Sequence, residues 1–315
     1  MEITDVGVLG GSQGSDLAVS SDGHWVAAAG PSAVSVWKGD KLIHDIALPG
    51  RGRGAIRFSD DTHNLRAGSW SLDLKTGEAI DLVPDGLLVA GIAHNMQDLP
   101  RMYSLAACVM SADAARVVVS VAHTPSRGLD DDTDYAGPVG QVVLLEPSAQ
   151  RLVAVLAADL DAQDVGALWL DGDVAVIASD DLSVYDSRTG DVLVRVSLTT
   201  ASVASITRGT GPIALGHVDG SISLCGVDDN SSLSTWKGHD GPVRALAIDR
   251  RRDLLFSAGR DQQVKVWDVS VAEPEIVGWY WAEESVAGLA LHPFGEHLVI
   301  AFDGADDVRV LELSD

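Results

Sequence analysis

Three side chains in the last third of the chain have the makings of nucleophilic catalysis. His239, Ser257 and Asp261 offer an imidazole base, a hydroxyl and a carboxylate. A serine is activated when such a base and its orienting acid are hydrogen-bonded in series. A second group could hold a cation: Asp130, Asp132 and Asp134 alternate in an acidic run and could present oxygens to Ca²⁺. The sixth position of such a calcium loop is Tyr135 rather than Gly, and the twelfth is Gln141 rather than Glu. The tight turn and the bidentate ligand are therefore both missing, and a solvated acidic loop is the better reading. His24, His44, His63, His94, His217, His292 and His297 show no metal-ligand spacing, so no metal and no other cofactor is expected. Arg51 and Arg53 in PGRGRG, with Arg244 and Arg260, could anchor a carboxylate-bearing or phosphorylated partner. Pairing with the chain's own abundant acids accounts for them equally well.

Charge narrows the classes of partner. The 315 residues carry 46 acidic against 22 basic side chains, a net charge of -24. A field of that sign repels phosphate backbones and anionic bilayers, so neither nucleic acid nor membrane is expected as a partner. Apolar runs such as Val117–Val121 are strand-sized, far short of a membrane span. The opening MEITDVGVLGGSQGSD has neither the basic start nor the apolar core of a secretory signal. Cys108 and Cys225 stand far apart without CxxC spacing and read as buried thiols of a reducing cytoplasm. Of the 22 basic residues only Lys38, Lys41, Lys75, Lys237 and Lys265 are lysines. With abundant Ala, Gly, Asp and Val, this hints at a bacterial source.

The elements that must position these residues come in repeats. The clearest unit, GHDGPVRALAIDRRRDLLFSAGRDQQVKVWD from Gly238 to Asp268, holds three β-like runs at Val243–Ile248, Leu254–Ala258 and Val264–Val269. Weaker copies have first strands starting near residues 16, 54, 104, 165, 202 and 286, mostly at intervals near 40. That is the period of a four-stranded propeller blade. The Gly238 unit closely resembles a WD40 repeat, with the Gly-His start, the Trp-Asp end and the intervening Ser and Asp at the family spacing.

The resemblance implies an all-β, seven-bladed β-propeller spanning 1–315 as a single domain. Strand Ile3–Leu9, which has no blade of its own, is then the outer strand of blade seven and closes the ring. It also implies that His239, Ser257, Asp261 and Trp267 form a structural hydrogen-bonded tetrad rather than a catalytic triad. Other blades depart from this pattern. Cys225 replaces the Trp in blade five, which keeps Asp219; Tyr185–Asp186 and Trp37–Lys38 end blades four and one; Trp281–Ala282 precedes blade seven; and Leu65–Leu74 of blade two is too compressed to show a second strand.

Insertions near 84–101 and 123–140 fall on the face the family calls top, as do Arg51 and Arg53, and form the first candidate binding sector. Arg244 and Arg260 occupy positions where WD-repeat proteins often present contact residues. Alternation in GWYWAEES puts Trp279 and Trp281 on one side of an outer strand, expected to pack between blades. The functional expectation is a non-catalytic scaffold or adaptor for protein partners, cytoplasmic, of undetermined oligomeric state. The alternative is a propeller lyase or hydrolase using His94, His123, Arg127 and Asp130 at the channel or the top insertions.

Overall fold

Short runs of Val, Ile, Leu and Ala bounded by Gly, Asp and Ser leave the chain little choice but β-structure. The computed structural model describes residues 1–10, 14, 16–30, 32–48, 55–83, 102–124, 139–161, 167–179, 181–198, 203–208, 212–226, 233–249, 251–304 and 307–314. Among them lie twenty-eight strands in seven antiparallel sheets of four, and a 3₁₀ turn at Pro147–Ala149. Blades one to six span 16–47, 56–81, 102–161, 167–197, 203–237 and 243–281. Blade seven takes three strands from 286–314, and its fourth is Glu2–Gly10, paired antiparallel with Asp307–Ser314 from Glu2↔Ser314 to Gly10↔Asp307. The ring closes as the resemblance implies.

Repetition extends to fine geometry. In blades one, two and three the turn from first to second strand is built alike: Ser20 Oγ donates to Asp22, Ser59 Oγ to Asp61 and Ser111 Oγ to Asp113, at 2.5–2.6 Å. Each aspartate also accepts a backbone N–H two residues on, satisfying turn donors that no strand reaches. A register shift recurs just before the aromatic of the third strand, at Val36/Trp37, Val184/Tyr185 and Val266/Trp267. Such a bulge re-aims the bulky side chain. Blade two does have its second strand, Asn64–Ala67, joined to Trp70–Asp73 by a two-residue turn at Gly68 and Ser69. Gly68 has φ 60, which a tight hairpin requires and which glycine adopts at no steric cost.

The hydrophobic core is divided among the seams between blades. One cluster joins Phe256 and Val266 of blade six to Ile300 and Leu311 of blade seven. The closing seam joins Leu9, Val299, Ala301 and Val308 of blade seven to Ala28 and Trp37 of blade one. There the Trp37 indole donates to the Gly10 carbonyl at 3.1 Å. Tyr185 of blade four likewise donates to Leu156 O of blade three's outer strand at 3.0 Å. Aromatic donors thus tie neighbouring blades as well as filling the gaps between them.

Alternation is right about Trp279 and Trp281 sharing a side, but wrong about which. They are 62% and 56% exposed on the outer strand Glu275–Trp281, while Tyr280 turns inward onto the blade six–seven core. Blades diverge toward the rim, so one face of a fourth strand has no neighbour to meet. Strand Glu2–Gly10 covers the Tyr280 side, where a Cβ on Gly278 would lie 3.1 Å from Met1 O.

Candidate functional site

Blade six assembles the would-be triad from three strands' worth of chain. His239 precedes the first strand, Ser257 sits within Leu254–Gly259, Asp261 is in the next turn, and Trp267 lies within Gln263–Asp268. His239 Nδ1 lies 2.9 and 3.1 Å from the two Asp261 carboxylate oxygens, and Nε2 lies 2.8 Å from Ser257 Oγ. Trp267 Nε1–H donates to the same Ser257 Oγ at 2.8 Å. The donors and acceptors close in one direction: indole N–H to hydroxyl, hydroxyl to Nε2, Nδ1–H to carboxylate.

Placement decides what this chain of bonds can do. Ser257 and the His239 side chain have no solvent exposure. A nucleophile must reach its substrate, and among the described residues this hydroxyl bonds His239 and Trp267 alone. Asp261 spends its remaining acceptor capacity on the backbone, taking the Asp240 and Gln263 N–H groups at 3.1 and 3.4 Å. A Cβ added at Gly259 would come within 2.7 Å of both Asp261 Oδ1 and His239 Nδ1, so the network requires glycine there. Each polar group is satisfied internally, which is the arrangement that fixes strand order in a buried site.

Electrostatics give this network an acid sensitivity. Burial pushes the His239 pKa below its ordinary value and outweighs the opposing pull of Asp261, so the pair is a neutral imidazole bonded to a carboxylate. Burial opposes ionisation of Asp261, yet the His239 donor and the two backbone N–H groups prevail and hold its pKa down. In Asp22, Asp113 and Asp249 burial is likewise overcome by side-chain and backbone donors. Every one of these groups binds its proton more weakly folded than unfolded. The unfolded chain therefore takes up more protons as pH falls, and stability declines with acidification. The His239 contribution fades below its ordinary value of 6.5 and the aspartate contributions below 3.8. Urea midpoints are expected to fall from about pH 6.5 downward and more steeply below about pH 4. A midpoint unchanged between about pH 7.5 and 5 would contradict a buried neutral His239.

The remaining candidates separate. Arg51, Arg53, His94, Arg127 and Asp130 lie outside the described residues, as do 84–101 and 125–138 of the two insertions. His123 is placed on strand Val117–Thr124 opposite Tyr103 and Val139, with its side chain outside the described set. Arg244 pairs with Asp303 across the blade six–seven boundary at 3.5 Å, both side chains 44% exposed. Arg260 is exposed, and its backbone bridges Pro242 and Ser285. The tetrad residues come together; Arg244 and Arg260 stand exposed outside its network.

The first strands of the blades line a central channel of about 650 Å³, walled largely by Ala and Leu. Into it project Arg57 and Trp169, the guanidinium 5.2 Å from the indole centroid. Neither stood out in the sequence, because they lie more than a hundred positions apart and meet only when the ring closes. The structure also gathers His292, Glu296 and His297, one ligating atom of each within 4.8 Å of the others. Spacing on a helix or in a metal loop could not reveal this group, since a β-turn brings it together. A signal was available: His292 occupies the place in its hairpin that Ser20, Ser59 and Ser111 hold in theirs.

Comparisons with known proteins agree with this architecture. The family described as "WD domain, G-beta repeat" matches residues 230–268, the blade-six unit and the approach to it. "WD repeat and HMG-box DNA-binding protein 1" of Mus musculus is 34% identical over 101 residues, 31% of this chain and 9% of that protein. "Pre-mRNA-processing factor 19" of Bos taurus is 30% identical over 95 residues, 30% of this chain and 18% of that protein. "Periodic tryptophan protein 2 homolog" of Schizosaccharomyces pombe is 31% identical over 84 residues, 25% of this chain and 9% of that protein. The matches thus span less than a fifth of these relatives' own length. All three are eukaryotic, so the compositional hint of a bacterial source gains no support from them. A matching WD repeat over residues 230–268, its closed hydrogen-bonded tetrad and the ring of seven four-stranded sheets make this chain a seven-bladed β-propeller with a WD repeat in blade six.

Proposed function

We propose that this propeller is a non-catalytic interaction scaffold, and that its blade-six rim docks a basic segment of a protein partner. The observation that carries this is the pair of exposed indoles, Trp279 and Trp281, on an outer strand whose own blade has buried its polar network. Large aromatics rarely stand more than half exposed unless something covers them, and Trp is among the residues that dominate binding energy at interfaces. Exposed Ile276 and Val277 extend the apolar strip. Exposed carboxylates at Glu273, Glu275, Glu283 and Glu284 bracket it in the sequence. Indole faces attract Arg and Lys, and the carboxylates steer them, so a Lys/Arg-rich segment is the complementary occupant.

Affinity capture from the native host with wild-type protein and a Trp279→Ala/Trp281→Ala variant tests the proposal, followed by titration with the purified partner. Loss of a stoichiometric partner, with affinity weakened at least about 30-fold (roughly 2 kcal/mol), is expected of a hot-spot pair. A partner retained at full affinity removes the rim from the interface and turns attention to the 84–101 and 123–140 insertions. The relatives' printed names mention DNA binding and pre-mRNA processing, and the charge of -24 favours protein over nucleic acid as the direct contact here.

A further inference from the structure

We propose that the hairpin turn of blade seven is a binding site for a divalent transition-metal ion of the zinc, nickel and copper class, held by His292, Glu296 and His297. The chain's own repeats supply the reference. In blades one, two and three the residue closing the first strand is a serine whose N–H bonds the carbonyl five residues on: Ser20 to Trp25, Ser59 to Asn64, Ser111 to Arg116. Blade seven makes the same backbone bond, His292 N to His297 O at 2.9 Å, but puts an imidazole at both ends of it. The Ser and Asp that satisfy the turn elsewhere are replaced by His292 and Phe294. The turn has kept its backbone and lost its internal Ser–Asp pair.

Geometry suits a metal. One ligating atom from each of the three residues lies within 4.8 Å of the other two, so small side-chain rotations bring them to bonding distances of about 2.0–2.2 Å. Two imidazole nitrogens and a carboxylate are the donor set of borderline divalent ions, with the remaining position left to water. His292 is already oriented. Its Nε2 lies against the Gly23 backbone of blade one, where an added Cβ would come within 2.1 Å of it. Its Nδ1 accepts the Phe294 N–H at a long 3.3 Å, a weak contact that an ion on that lone pair would displace. The turn is braced from blade six as well, where Arg252 donates to Gly295 O at 2.7 Å and to Asp249 at 2.7 Å.

Titration of the tag-free full chain with Zn²⁺ in a non-coordinating buffer, read by calorimetry, tests the site. One saturable equivalent is expected, weakened at least about tenfold in His297→Ala and lost in His292→Ser. His292→Ser restores the serine that blades one to three carry at this place, and its melting temperature without metal, expected within a few degrees of the wild type, separates ligand loss from misfolding. Co²⁺ should give visible d–d absorption in the wild type and not in His292→Ser. Isotherms that are the same in wild type and both variants would place the ion elsewhere on the acidic surface and overturn the proposal, as would non-saturable uptake by the wild type.

Discussion

Truncation to residues 11–315 is expected to lower the melting temperature by roughly 10 °C, because the removed strand closes the ring. Strand Glu2–Gly10 is the outer strand of blade seven, and its last residues also face blade one. Leu9 is 6% exposed between Val308 and Trp37, a burial of about 1.5–3 kcal/mol. Its neighbour Gly10 accepts the Trp37 indole N–H, and orphaning that donor in a buried seam costs about 1–3 kcal/mol more. Asp5 accepts from Arg309 at 3.0 Å, and the Asp307–Ser314 strand would become a bare edge. A total near 5 kcal/mol converts at about 2 °C per kcal/mol for a chain of this size. Point variants separate closure from mere loss of chain. Leu9→Ala should cost about 2–3 kcal/mol, whereas Val8→Ala, at a side chain 57% exposed, should cost little. Thermal unfolding followed by circular dichroism reads all three. Melting of the truncated chain at the wild-type temperature would mean that the ring holds without its closing strand.

Closure was legible in the sequence for a physical reason: a strand-patterned segment at one end and a blade lacking a strand at the other have one economical pairing. Blade six was legible because His239, Ser257, Asp261 and Trp267 are four chemically distinct residues at one spacing, a coincidence hard to reach by chance. Blade two hid its second strand because a four-residue strand joined by a two-residue turn leaves too few positions for alternation to register. For Trp279 and Trp281, period-two alternation states that they share a side, but which side faces a neighbour depends on how far adjacent blades have diverged at that radius. Nothing local in GWYWAEES encodes a radius. The grouping of His292, Glu296 and His297 has no helical or metal-loop spacing, because a hairpin turn sets His292 and His297 opposite each other.

Gly259→Ala is expected to destabilise the protein by about 2–4 kcal/mol although it adds one methyl group. The new Cβ would sit 2.7 Å from both Asp261 Oδ1 and His239 Nδ1, the two atoms of the bond at the centre of the tetrad. Neither can yield: the His239 side chain has no exposure and Asp261 only 8%. Asp261→Ala should cost about 1–3 kcal/mol by leaving His239 Nδ1–H and Asp240 N–H without an acceptor. Asp261→Asn, which retains one carbonyl acceptor, should cost less. Combining Gly259→Ala with Asp261→Ala distinguishes a shared bond from two separate injuries. With the Asp261 carboxylate removed, the methyl added at position 259 loses half its obstruction, so the combined cost should fall short of the sum by about 1 kcal/mol or more. Strict additivity would mean that the two positions act through different contacts. Ser257→Ala addresses the catalytic alternative directly, since it orphans both Trp267 Nε1–H and His239 Nε2. A structural hydroxyl predicts a loss of about 1–3 kcal/mol in urea unfolding, whereas a nucleophile would lose turnover while the unfolding midpoint stayed in place. The burial of Ser257 puts the weight on the first outcome, because a hydroxyl between an indole and an imidazole has no third partner to attack.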